Sequence, residues 1–105
     1  MKDTDYRIAR ELKEKILRVA PVLDFKVFGS RARGDADDDS DMDIFIELST
    51  CDRELRKKIS HATWETGFEN GIVITALLFT RHELENTPVR AAPIVKAINQ
   101  EGVKI

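Results

Sequence analysis

The chain has 105 residues, 34% of them charged, with 17 Lys plus Arg against 19 Asp plus Glu for a net charge of −2. That length fits a single domain over residues 1–105 with one modest core, and the charge balance excludes a generic nucleic-acid coat, which needs a basic excess against phosphate. Cys51 stands alone, which excludes an internal disulfide and a cysteine zinc cluster; with no apolar run near the ~20 residues of a membrane helix and no signal-like apolar segment in Met1–Asp5, a soluble, cytoplasmic protein is expected.

Ile8, Leu12, Ile16 and Val19 recur at three- and four-residue spacing, which predicts an amphipathic helix from about Thr4 to Val19, stopped by Pro21. Phe25 to Phe28 is a short strand running into a turn at Gly29. Met42, Ile44, Ile46 and Leu48 form the buried face of the next strand, opposite Asp41, Asp43, Phe45 and Glu47. Ser49-Thr50-Cys51-Asp52 resembles a capping box for a second helix, with an apolar stripe of Leu55, Ile59, Ala62, Trp64 and Phe68 and a stop at Asn70-Gly71. Ile72 to Phe79 is apolar on both faces apart from Thr75, which predicts a central strand covered on both sides. Thr80-Arg81-His82-Glu83 offers a cap for a short helical turn. A last helical segment falls between Pro88 and Glu101, with Pro93 as its start or a break and Gly102 closing it. The order α-β-β-α-β-α predicts an α/β or α+β fold around a small mixed sheet flanked by helices.

The chemistry concentrates in Gly29-Ser30-Arg31-Ala32-Arg33-Gly34 and Ser40-Asp41-Met42-Asp43-Ile44-Phe45-Ile46. Asp41 and Asp43 share a strand face with Cα atoms about 6.6 Å apart. Two carboxylates so close repel unless a cation lies between them, and hard divalent cations take such oxygens together with those of substrate phosphates. The glycine-bounded turn offers backbone N–H groups, a hydroxyl and guanidinium donors to the same phosphates. Rival motifs fail. Asp35 occupies the lysine position of a P-loop, and no G-x-G-x-x-G occurs. An EF-hand started at Asp35 meets Ser40 and Ile46 where Gly and Glu are needed; started at Asp37 it meets Met42 and Leu48. Six aspartates crowd residues 35–43, but Asp35, Asp37, Asp38 and Asp39 read as a solvated loop. His61, His82 and Cys51 read as structural or surface residues, and Trp64 as core or an interface anchor.

Gly-Ser, then Ala-Arg-Gly, then Ser-Asp-x-Asp before an apolar strand resembles the polymerase-beta-like nucleotidyltransferases, and the length resembles the minimal members of that family. The likeness is densest from Val27 to Glu47. It implies a polymerase-beta-like nucleotidyltransferase fold. It also implies Mg²⁺ (or Mn²⁺) held by Asp41 and Asp43 as catalytic and metal residues, and a nucleotide-binding turn of Gly29, Ser30 and Arg33. Arg31 is instead expected to pair with an acidic neighbour. The implied reaction moves an NMP group, with AMP as the default, from an NTP to an acceptor hydroxyl and releases pyrophosphate. A third carboxylate is expected on the strand 72–79, which has no Asp or Glu. Thr75 stands near its position, and Glu47 or Glu69 are the alternatives. Hence a second reading: a weakly or non-catalytic nucleotide-binding module, such as an antitoxin acting with a HEPN-domain protein. Either reading implies a nucleoside triphosphate and a protein partner (HEPN-like, or a further copy of the chain). Neither calls for a membrane, and nucleic acid enters only as an acceptor.

Overall fold

A computed structural model describes residues 1–105. Helix α1 (Asp3–Leu17) is followed by strand β1 (Asp24–Phe28), a short helix α2 (Gly29–Arg33) and strand β2 (Met42–Leu48). Helix α3 (Arg53–Asn70) crosses over to strand β3 (Ile74–Thr80), followed by α4 (Arg81–Asn86) and a 3₁₀ turn (Pro88–Ala91). Helix α5 (Pro93–Glu101) and the two-residue strand β4 (Val103–Lys104) end the chain. The sheet order is β3-β2-β1-β4, with β2 and β3 parallel and the other pairs antiparallel. This is the expected small mixed sheet flanked by helices.

Alternation along β2 divides the molecule into two layers. Met42, Ile44, Ile46 and Leu48 face Ile8, Leu12 and Ile16 of α1 and Ile59 of α3, and these form the main core with Phe25 and Val27 of β1. On the opposite face Phe45 packs with Phe28 and with Ile98 of α5. So β2, not the strand after α3, is the central strand buried on both faces. β3 is apolar on both faces because helices flank it on each side. Yet it lies at the edge, and none of its residues is fully buried.

Three further expectations shift. α1 ends at Leu17, where the Ile16 carbonyl accepts hydrogen bonds from the N–H groups of Val19 and Ala20; the chain leaves the helix ahead of Pro21, and Val19 is exposed. The cap of α3 is Asp52, whose Oδ1 accepts from the Leu55 N–H at 2.8 Å. Trp64 and Phe68 are not on the buried stripe of α3. Phe68 stands nine residues, about two and a half turns, past Ile59 and therefore on the opposite side. Thr63, Thr66 and Gly67 take the inward positions instead. The Thr80–Glu83 capping box, Pro93 at the start of α5 and Gly102 as its cap are as the sequence predicts. The C-terminal residues, for which the order α-β-β-α-β-α has no strand, add one to β1, with Val27 opposite Val103.

Candidate nucleotide-binding site

The turn expected between β1 and the next strand is a single short helix, α2. Gly29, its first residue, has φ +74°, a region that side chains other than glycine rarely adopt. The reason for a glycine is also steric. A Cβ at this position would collide with a carboxylate oxygen of Asp43, whose Cγ would be 3.3 Å away. Antiparallel pairing sets this contact, because Phe28 lies opposite Asp43 in the β1–β2 register. Gly29 therefore exists to let the backbone of the turn approach the β2 carboxylate.

Asp41 is exposed just before β2, and Asp43 is half-buried on the same face. The carboxyl of Asp43 is raised above its ordinary value of 3.8, first by burial and then by the charge of Asp41, while Arg33 draws it back down. A half-buried acid beside a second acid is a poor resting place for two negative charges and a good one for a cation. No group of three or more His, Cys, Asp or Glu side chains gathers anywhere in the chain. An ion held by Asp41 and Asp43 would have to draw its remaining oxygens from water and from a ligand, as Mg²⁺ does when it rides on phosphates. Two carboxylates alone suit a hard cation shared with a ligand and do not make a protein-enclosed metal site.

The two arginines of α2 differ sharply. Arg31 is 7% exposed. Its Nη1 donates to Asp5 Oδ1 at 2.7 Å, its Nε and Nη2 to the Ser40 carbonyl at 3.0 and 2.6 Å, and Nη2 also to the Asp38 carbonyl at 3.2 Å. It clamps the acidic loop to α1 and so fixes the residue before Asp41. Arg33 has a side chain 47% exposed and meets Asp35 at 3.2 Å and Glu101 at 3.1 Å. The hydroxyl of Ser30 has no partner within the chain, while the Ser30 carbonyl accepts the N–H groups of Gly34 and Asp35.

Gly29 lies against Asp43, the charges of Asp41 and Arg33 act on Asp43, and Ser30 follows Gly29 on α2. Thr75 lies opposite Asp43 in the parallel β2–β3 register, exposed and on the same face, so the strand residue beside Asp43 is a threonine and not a carboxylate. Neither alternative acid reaches that position. Glu47 pairs with Phe79 in register, at the far end of β2, and its Oε2 accepts from Arg81 Nε at 2.7 Å. Glu69 lies on α3, across the sheet, and accepts from Lys15 at 3.3 Å. Two residues that bear on the site escaped sequence reasoning: Asp5, which neutralises Arg31, and Glu101, which holds Arg33. Both are far away along the chain, and no local spacing signals either.

The model of the nucleotidyltransferase domain matches residues 6–103, and the chain belongs to that family. Among solved structures, a protein from Sulfolobus solfataricus described as a candidate nucleotidyltransferase superposes with a TM-score of 0.61 at 21% identity, over 96% of this chain and 78% of the other. A toxin–antitoxin crystal structure with AMP-PNP superposes with a TM-score of 0.62 at 16% identity, over 95% of this chain and 70% of the other. Both share the fold. No curated protein sequence matches the chain.

Proposed function

We propose that this protein binds an NTP together with Mg²⁺ and transfers its NMP group, AMP by default, to an acceptor hydroxyl. The observation that carries this reading is the closure of the Gly29 turn onto the Asp43 carboxylate, with Asp41 beside it. Asp41 and Asp43 would hold the ion, which when bound supplies positive charge to the phosphate oxygens. Gly29 lets the turn lie against the Asp43 carboxylate, so that its backbone borders the phosphates an ion there would hold. Ser30, its hydroxyl uncommitted, donates to a phosphate oxygen, and Arg33 exchanges Glu101 or Asp35 for phosphate. In the transfer, the acceptor oxygen bonds to the α-phosphorus as the bond to the bridging oxygen breaks, and pyrophosphate leaves with that electron pair. Thr75 cannot take the acceptor proton as a carboxylate would, so intrinsic turnover is slow.

Thr75 also favours a second reading, a weakly catalytic antitoxin module that acts with a HEPN-domain protein in the cytoplasm. The toxin–antitoxin assignment of one structural neighbour supports the coarser idea of a protein partner. Incubation with α-labelled NTPs, Mg²⁺ and the product of the adjacent gene separates the two. Label transferred to that product supports the transferase. Nucleotide binding without transfer, even in a Thr75→Asp variant that restores a carboxylate, supports the binding module. Absence of nucleotide binding removes both.

A further inference from the structure

Across the sheet from the nucleotide site, the chain leaves an apolar edge uncovered. β3 is the outer strand beyond β2, so one side of its backbone is free to pair. From Ile74 to Thr80 it contains no charge and no proline, the devices that usually blunt a free edge. Between β3 and α3 lies an open groove of ≈ 450 Å³, in which Arg56 is the single charged lining residue. The three most exposed large apolar side chains of the molecule line this groove: Phe68 at 73%, Trp64 at 65% and Val73 at 62%. The rings of Trp64 and Phe68 stack with centroids 5.2 Å apart and planes 16° from parallel. Asp43 and Thr75 point from the other face of the sheet, so the groove is no part of the nucleotide site.

We infer that a second copy of this chain covers the α3–β3 edge, through a two-fold axis that pairs β3 antiparallel with β3 of the partner copy and lays the α3 helices side by side. The surface is suited to its own image. Arg56 and Lys57 stand in the N-terminal part of α3, while Trp64 and Phe68 stand in its C-terminal part, whose last turn has no basic residue. A two-fold axis reverses one helix against the other. Each cationic end then meets the aromatic faces and carbonyl-rich end of its mate, both of which attract cations. The area is also adequate. At the usual size of such side chains, Trp64, Phe68 and Val73 expose about 400 Å² together, so two copies would withdraw about 800 Å² from these residues alone. The strand edges and the groove rim would raise this towards the roughly 1,200–2,000 Å² of stable interfaces.

Trp64 is the single tryptophan, so intrinsic fluorescence reports directly on this surface. Sedimentation equilibrium of the full chain should show a monomer–dimer equilibrium, with tryptophan emission shifting to the blue as dimer forms. Phe68→Glu should raise the dimer dissociation constant at least about tenfold and hold the emission at its water-exposed position. Val73→Lys, at a second exposed site, should act in the same direction. Both variants should keep the helical circular dichroism of the parent. A parent chain that remains monomeric at several hundred micromolar would overturn the inference and leave the groove to a different protein. So would a dimer that both variants leave unchanged.

Discussion

Arg31 and Arg33 stand two residues apart on one short helix and do opposite work. Arg31 is buried, and four hydrogen bonds occupy it, to Asp5 and to the carbonyls of Asp38 and Ser40. Arg33 is half in solvent and held only by Asp35 and Glu101, at the rim of the Asp41–Asp43 pair. A buried, fully partnered charge cannot be lent to a ligand without leaving its partner stranded. An exposed ion pair contributes little to folding and exchanges easily for a phosphate. The clamp region thus holds the loop before the Asp41–Asp43 pair, and the rim region leaves a charge that a ligand can reach.

The sharpest way to break this contrast is Arg31→Ala. It strands Asp5, which is as buried as Arg31 itself, and should cost about 3–5 kcal/mol of stability, a large share of what a domain this size possesses. Chemical denaturation measures it. A loss comparable to that of an exposed pair would mean that the clamp is ornamental.

Gly29→Val should come next, at about 1–3 kcal/mol, because it forces a branched side chain into a left-handed backbone and against the Asp43 carboxylate. Unlike Arg31→Ala, it should also abolish triphosphate binding in the protein that remains folded. Arg33→Ala should sharpen the comparison from the other side. Its melting temperature should match the parent, while affinity for Mg²⁺–ATP falls roughly ten- to a hundredfold, the usual effect of losing a charge-assisted hydrogen bond. Equal affinity would remove Arg33 from the site.

The smallest effect is one of pH. Asp43 is raised in the folded protein, so between 3.8 and its folded value the native state binds more protons than the unfolded chain. Stability therefore falls as pH rises through that window, and above it the ionised, half-buried acid is a cost. Asp43→Asn removes the group that titrates. Its stability relative to the parent should grow from pH 3 to pH 7 in the absence of metal, and Mg²⁺–ATP should reverse the difference by stabilising the parent alone. Thermal melts at both pH values check this.

How much of this was legible in the sequence follows from how local each signal is. The Gly29 turn, the Asp41–Asp43 alternation, the caps at Thr80 and Pro93 and the absence of a carboxylate near Thr75 each depend on residues within a few positions of one another. The rest is tertiary. An apolar run such as Ile74–Phe79 looks the same in a central strand as in an edge strand flanked by helices, and only the β2–β3 pairing decides between them. Trp64 was ambiguous because hydrophobicity marks core and interface alike; its position relative to Ile59 on the helical wheel held the answer. β4 is too short to have a period. Asp5 and Glu101, the distant partners of Arg31 and Arg33, lie on the first and last helices and become neighbours of these arginines only when the sheet forms.

The central claim is that Asp41 and Asp43 give this chain a triphosphate site that depends on a divalent cation. Titration calorimetry with a non-hydrolysable ATP analogue, with and without Mg²⁺, tests it most directly when the parent is compared with the Asp41→Asn, Asp43→Asn double variant. The account predicts binding by the parent only when Mg²⁺ is present, and none by the double variant, whose fold should be as stable as the parent's or more so because a repulsive pair is relieved. Equal Mg²⁺-dependent binding by the two proteins would contradict it.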